Sequence, residues 1–418
     1  MTPSQFQPIR EWIERQQPWM QQQTEQLARI NSGTFNREGV NAVGERLREL
    51  AAPLAAECQV ITLPSHEFID LRGRTCHQPL GDAIRLRKRP EAPRQILLCG
   101  HMDTVFAQDD PFQQVVWRDD NTLHGPGVTD MKGGLIVMLT ALMALEQHPL
   151  ADGIGWEVIF NPDEEIGSPC SADLLREAAA RAQLGLVFEP ALPDGSFAGE
   201  RKGSGNFTVI VRGRSAHAGR NIDDGRNALR ALCDFISHLD DLNGQRDGVT
   251  LNPARLCCDG ALNRVPDLAV AQFNVRTTSH EDEHWVQQQL ARLCAGINGR
   301  DGYSLQLVGS FSRTPKKLSA STTLLFETLQ LCGKQLEIPV HWKATGGCCD
   351  GNNLAAAGLP NIDTLGVEGA HIHSADECLY ADSLSRRATL TALLLLELAG
   401  GRLDFQLWPH LQENPNRH

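Results

Sequence analysis

His101, Asp103, Asp130, Glu164, Glu165 and Glu189, together with a histidine from GAHIHSADE, are the residues of this chain whose types and placement could hold a metal ion. Imidazole and carboxylate donors make an all nitrogen and oxygen ligand set, which suits zinc or a similar divalent ion. A carboxylate such as Asp130 can bridge two ions, and two-metal sites with a spacing of about 3.5 to 4 Å activate water and polarise a carbonyl together. Amide hydrolysis needs both effects. Adjacent Glu164 and Glu165 can split the work, one binding metal while the other takes a proton from water. His101 and Asp103 stand two apart, so one can ligate a metal while the other orients its ring.

Such residues need elements that hold them in one place. Ile96, Leu97, Leu98 and Cys99 form an apolar run flanked by Pro93 and Gly100, which predicts a buried strand ending just before His101. DNTLHGPGVTDMKGGLIVMLTALMAL reads as a glycine-rich loop followed by a long apolar helix beginning near Lys132, with Asp130 just ahead of the helix's positive end. GWEVIFNPDEEIGS repeats the pattern, with an apolar strand through Val158, Ile159 and Phe160, then Asp163, Glu164 and Glu165, and LGLVFEP supplies another strand ending at Glu189. Acidic or histidine groups at element ends in four places, within a strand, loop, helix alternation, predict an α/β layered sheet whose ligand crevice lies beyond the strand ends.

The flanking regions carry less chemistry. The first sixty residues, with Trp12, Ile13, Leu27, Ile30, Leu47 and Leu50 at apolar positions, read as amphipathic helices. From about residue 203 the order becomes β, α, β, β, α, β: NFTVIVRG, a helix through Ala228, Leu232, Phe235, Ile236 and Leu239, strands near Ala254 to Cys258 and at LAVAQFNVR, the helix EDEHWVQQQLARLCAGI, and YSLQLVG. That order predicts a ferredoxin-like α+β sandwich over 203–311, inserted into a discontinuous domain of 1–202 and 312–418. After FSRTPKK come the helices LLFETLQLCGKQL and ATLTALLLLELAGG, and the polar tail QENPNRH is expected to fray.

The 418 residues suit two domains or one large domain with an insertion, and 41% hydrophobic and 22% charged residues are ordinary for a soluble protein. A net charge of -12 argues against a nucleic-acid or anionic-membrane partner. No long apolar span suggests a membrane helix, and MTPSQFQPIREWIERQQPW lacks the apolar core of a signal peptide, so a cytoplasmic location is expected. Twelve cysteines, among them Cys99, Cys233 and Cys294, lack CxxC spacing and read as reduced, buried thiols. The neighbouring pairs Cys257 with Cys258 and Cys348 with Cys349 would point to opposite faces, which disfavours a shared metal.

The ordered motifs GHMDTV, GPGVTDMKGG, NPDEEIGS, VFEP, GRSAHAG, ALNRVPD, FNVR, TGGCCDGN and HSADE resemble the M20 family of metallopeptidases over nearly the whole chain, in the branch of glutamate carboxypeptidases and succinyl-diaminopimelate desuccinylase. The resemblance implies a di-zinc exopeptidase-type α/β catalytic domain with the inserted ferredoxin-like module serving as lid and dimerisation domain. It implies two divalent ions, zinc with cobalt or manganese as alternatives: His101 and Glu189 on one, Glu165 and His373 on the other, Asp130 bridging. His373 is preferred to His371 because SADE directly follows it. Asp103 would touch only His101, and Glu164 would be the general base. His217, in SAHAG, would donate to the developing oxyanion in the active site of a partner subunit. Asn263 and Arg276 would hold the substrate, the guanidinium clamping a free carboxylate.

The resemblance further implies, from glutamate rather than aspartate at position 189, cleavage beside a free C-terminal carboxylate of a small peptide or N-acyl amino acid. The alternatives are a deacylase or desuccinylase of the same family, or a catalytically silent binding protein on this scaffold. Cys348 and Cys349 depart from the family's pattern, where a small residue and serine are more usual.

Overall fold

The computed structural model describes residues 1–403, and the QENPNRH tail lies outside the described residues. Helices Pro3–Arg15, Gln17–Ala28 and Arg37–Ala51 occupy the N-terminal region, which then turns into the strand Glu57–Ile61. The central sheet has six strands in the order Glu57–Ile61, Ala83–Lys88, Gly155–Asn161, Gln95–His101, Leu184–Val187 and Asn361–Ile362. The first two run antiparallel to their neighbours, and the remaining four are mutually parallel. The strand bearing His101 is therefore central, and its two parallel neighbours lead directly into the Glu164–Glu165 and Glu189 segments. That strand includes His101 rather than stopping before it, because His101 pairs in register with Asn161 of the adjacent strand.

The helix Gly133–Leu145 has an apolar surface on every side and is buried almost throughout, packed against the C-terminal helix Asp382–Ala399. The expectation of no long apolar span meets an exception here: Val128–Leu145 is long and apolar enough to cross a membrane, yet 94% of it is buried inside the molecule. Its role is to form the core. Gly134 lets the helix approach the end of a strand, since a Cβ there would lie 2.1 Å from the carbonyl oxygen of Phe188.

Residues Gly203–Arg313 build a separate four-stranded antiparallel sheet in the order Thr250–Cys257, Leu268–Thr277, Gly203–Arg212, Ser304–Arg313. Helices Ala228–Asp240 and His280–Asn298 cover it, and Phe207, Leu232, Phe235, Phe273 and Leu290 belong to its own hydrophobic cluster. The β, α, β, β, α, β sequence thus folds with the strand order of a ferredoxin-like sandwich. A smaller sheet, Gly369–Ala370, Cys378–Tyr380, Thr122–His124 and Val116–Trp117, ties the HSADE loop to the segment preceding Asp130. These strands of two or three residues carry no alternation long enough to be read from sequence.

Candidate metal centre

His101 ends its strand buried at 1% exposure, and Nε2 lies 3.2 Å from Oδ1 of Asp130. The other oxygen of Asp130, Oδ2, lies 3.2 Å from Nε2 of His373. One carboxylate thus faces two imidazoles, one through each oxygen. On the first side Oε1 of Glu189 stands 3.9 Å from His101, and on the second Oε2 of Glu165 stands 3.3 Å from His373. Donor atoms of His101, Asp130 and Glu165 lie within 4.8 Å of one another, as do those of His101, Glu164 and Glu189.

Four buried carboxylates and two histidines leave an excess of negative charge out of water, which is costly without compensation. Burial, reinforced by the neighbouring Glu164, pushes the Glu189 carboxyl well above the usual range, and burial pushes Glu165 up to about 8. Burial alone would raise Asp130 too, but hydrogen bonds from His101 and His373 outweigh it and hold its carboxyl down. Those to Asp130 and Glu165 raise His373 to about 11. Oε1 of Glu165 and Oε1 of Glu189 are buried and accept no hydrogen bond. Buried, unpartnered carboxylate oxygens on residues whose side chains meet other nitrogen and oxygen donors are what divalent cations would satisfy, so the residues present fit two such ions.

The surroundings fix these side chains. Asp130 lies in the turn Val128–Lys132, whose peptide to Met131 is cis, and the buried carboxylate of Glu377 accepts the backbone N–H groups of Gly127, Thr129 and Asp130 at 2.9 to 3.0 Å. His371 and His373 both take positive φ, at 60° and 62°, in a tight turn closed by the Ser374 hydroxyl on the His371 carbonyl. His373 reaches the carboxylates, whereas His371 is exposed and makes no ring contact with them among the described residues.

Asp103 does more than touch His101. Nδ1 of His101 is closest to the backbone carbonyl of Asp103, at 2.9 Å, with the carboxylate at 3.4 Å. That carboxylate also accepts the Thr34 hydroxyl and the backbone N–H groups of Glu164 and Glu165. The expectation of a single contact fails because the turn after Asn161 brings two free amides over the same buried group, which must satisfy its remaining lone pairs.

Glu164 sits beside the cluster, with Oε2 4.0 Å from Nε2 of His101 and Oε1 2.8 Å from Nη2 of Arg313. Burial raises its carboxyl, and the Arg313 guanidinium opposes that shift. Arg313, at the end of the last strand of the inserted sheet, also donates to the Glu164 carbonyl and to Ser168. Neither Arg313 nor Glu377 was singled out by sequence reasoning. A lone arginine after a strand and an acid in a polar loop carry no local signal of partners 149 and about 250 residues away.

His217 and Asn263 are exposed on neighbouring loops of the inserted sheet, joined by the Ala218 N–H to the Asn263 carbonyl, and neither contacts the cluster of its own chain among the described residues. Arg276 reaches across to the other part of the molecule, donating from Nη1 to Sγ of Cys348 at 2.8 Å and from Nε to Asn274. Cys349 turns the opposite way and caps the helix Asp350–Ala356, its sulfur accepting the Gly351 N–H at 3.3 Å.

The family model for peptidase family M20/M25/M40 matches residues 97–397. Carboxypeptidase G2 of Pseudomonas sp. (strain RS-16) is 28% identical, over 93% of this chain and 91% of its own. Succinyl-diaminopimelate desuccinylase of Maricaulis maris (strain MCS10) is 26% identical, over 85% and 97%. The M20 family metallo-carboxypeptidase of Sulfolobus solfataricus shares the fold with a TM-score of 0.70 at 15% identity, covering 91% of this chain and 99% of its own. The matched span runs from the strand that carries His101 to the last helix and contains the whole histidine and carboxylate cluster, which makes this chain a member of peptidase family M20/M25/M40.

Proposed function

We infer that this metallopeptidase-family hydrolase cleaves an amide or peptide bond next to a free C-terminal carboxylate, in the manner of a glutamate carboxypeptidase. The observation that carries the reading is Asp130, one oxygen towards His101 and the other towards His373, with unsatisfied oxygens of Glu165 and Glu189 on either side. His101, Asp130 and Glu189 would hold one ion and Asp130, Glu165 and His373 the other, zinc suiting the donors best. Two such ions lower the pKa of water and polarise a carbonyl.

The chain's own groups do the rest. Oε2 of Glu164 takes the proton from the attacking water and returns it to the departing nitrogen, while Arg313 keeps the other oxygen occupied and so orients the base. Asp103 holds the ring of His101 through Nδ1 and leaves Nε2 as the donor. Arg276 and Asn263 receive the substrate's carboxylate end. His217 serves the site of a second subunit, consistent with its exposure and its lack of contact with the cluster in its own chain, so the working form is a homodimer joined through the inserted sheet. Twelve cysteines left as free thiols suit a reducing, cytoplasmic setting.

Glu164→Gln tests the assignment. Hydrolysis should fall by roughly 10²–10⁴-fold while metal content and thermal midpoint stay near those of the parent. Near-full turnover of N-acyl amino acids by this variant would remove Glu164 from the mechanism.

A further inference from the structure

A cavity of about 410 Å³ lies at the other end of the central strands from the histidine and carboxylate cluster. Ile96, in its lining, stands at the start of the strand that His101 ends, about 16 Å away along extended backbone. Glu157 lines it from the start of the neighbouring strand, and Ala180 and Arg181 from just beyond the helix Ala172–Ala179. Glu157, itself buried, gathers three arginines. Arg181 donates Nε and Nη2 to its two oxygens, at 3.0 and 2.7 Å. Nε of Arg87, another lining residue, stands 3.7 Å away, beyond hydrogen-bond distance, and the Arg87 side chain donates no hydrogen bond among the described residues. Nε of Arg85 lies 3.1 Å from Oε1 of Glu157, yet this buried atom makes no hydrogen bond either, and its Nη1 donates only to neutral Gln59.

Three guanidiniums thus face one carboxylate, a local excess of two positive charges in a chain whose net charge is -12. Arg85 and Arg87 stand two apart on the strand Ala83–Lys88 and share a face, and their side chains are only 17% and 31% exposed. Charge held partly out of water is costly without a counter-charge. Glu57 sits opposite Arg87 on the edge strand but makes no ion pair with it among the described residues. We propose that this cavity binds a phosphate group, as inorganic phosphate or as the head of a small phosphate monoester, on Arg85 and Arg87. A phosphate carries close to two negative charges at neutral pH and so matches the excess, where a carboxylate would leave one cation unpaired. Arg181 keeps the Glu157 carboxylate neutralised beside the anion. The cavity is within the size range of small-molecule sites, and Ile96 and Ala180 offer apolar wall to an organic group attached to the phosphate.

Titration calorimetry of the zinc-loaded full chain with inorganic phosphate and with glycerol 3-phosphate tests the site. Saturable binding of one or both with Kd below about 1 mM is expected. Tighter binding of the ester would assign the monoester, and tighter binding of inorganic phosphate the free ion. Arg85→Gln and Arg87→Gln should each weaken binding by about tenfold, while zinc content and the thermal midpoint in phosphate-free buffer stay near those of the parent. Ala180→Glu, at an exposed position of the lining, brings in a competing carboxylate and should weaken binding to a similar degree without disturbing either arginine. Equal affinity in the parent and all three variants would put the anion on the loaded zinc instead. That result, or no saturation by either compound up to about 10 mM, would overturn the site.

Discussion

Asp103 shows how much of the histidine and carboxylate cluster depends on a residue behind it. Its carboxylate is completely buried, stands beside Nδ1 of His101, and receives the Thr34 hydroxyl and the amides of Glu164 and Glu165. One group therefore holds the ring of His101 on the central strand and the turn that carries Glu164 and Glu165, the proposed base and a proposed ligand. Asp103→Ala should weaken metal affinity by roughly 10–100-fold, read by competition with a chromophoric chelator. Saturating metal should not restore the rate, because the two amides lose their acceptor and the Glu164 side chain its placement. Unchanged affinity and rate would mean that the backbone carbonyl of Asp103 alone orients His101. Cys348 acts at the same scale: its sulfur accepts from one nitrogen of Arg276, so a substrate carboxylate received there, as proposed, would meet a guanidinium already partly engaged by a weak acceptor.

Among elements, the parallel strands do the gathering. His101 ends one, the Glu164–Glu165 turn follows a second, and Glu189 follows a third, so side chains far apart in sequence meet at one edge of the sheet. The helix Gly133–Leu145 fixes Asp130 against that edge, and its far end is held by Glu146, which accepts from Arg89 and Trp156 and lies 3.0 Å from Lys88. Burial would raise the Glu146 carboxyl, but the bonds from Arg89, Trp156 and Lys88 outweigh it and bring it down to about 2. A carboxylate whose folded pKa lies below its unfolded value stabilises above the unfolded value of 4.5, and that contribution is lost as pH falls towards about 2. Glu146→Gln should therefore lower stability at pH 7 by roughly 1–3 kcal/mol and show a shallower loss between pH 5 and pH 2 than the parent in denaturant titrations. Parallel pH profiles for the two proteins would mean the pair contributes nothing net.

At the scale of the molecule, two arginines of the inserted sheet reach the rest of the chain, Arg276 on Cys348 and Arg313 on Glu164, while His217 and Asn263 are exposed and contact none of their own cluster among the described residues. On the reading proposed above, His217 would serve the site of a second subunit. Mixing His217→Ala chains with Glu164→Ala chains should restore about a quarter of parental activity, since half of randomly exchanged dimers are mixed and each holds one complete site. No recovery after mass spectrometry confirms subunit exchange would place the oxyanion donor within one chain.

That these histidine and carboxylate side chains meet in one cluster was legible in the sequence because metal chemistry accepts few side-chain types, and because apolar runs before His101, Glu164 and Glu189 mark buried parallel strands. The ferredoxin-like order was legible for a similar reason, its strands and helices being long enough to show their periods. Only the tertiary structure decided that Glu377 anchors the Asp130 turn and that Arg313 holds Glu164, while it is His373, the histidine preferred from the sequence, that faces Asp130. Each of these depends on segments roughly 150 to 250 residues apart meeting across the sheet, and a chain's local pattern records what an element can bury but not which distant side chain it will bury it against.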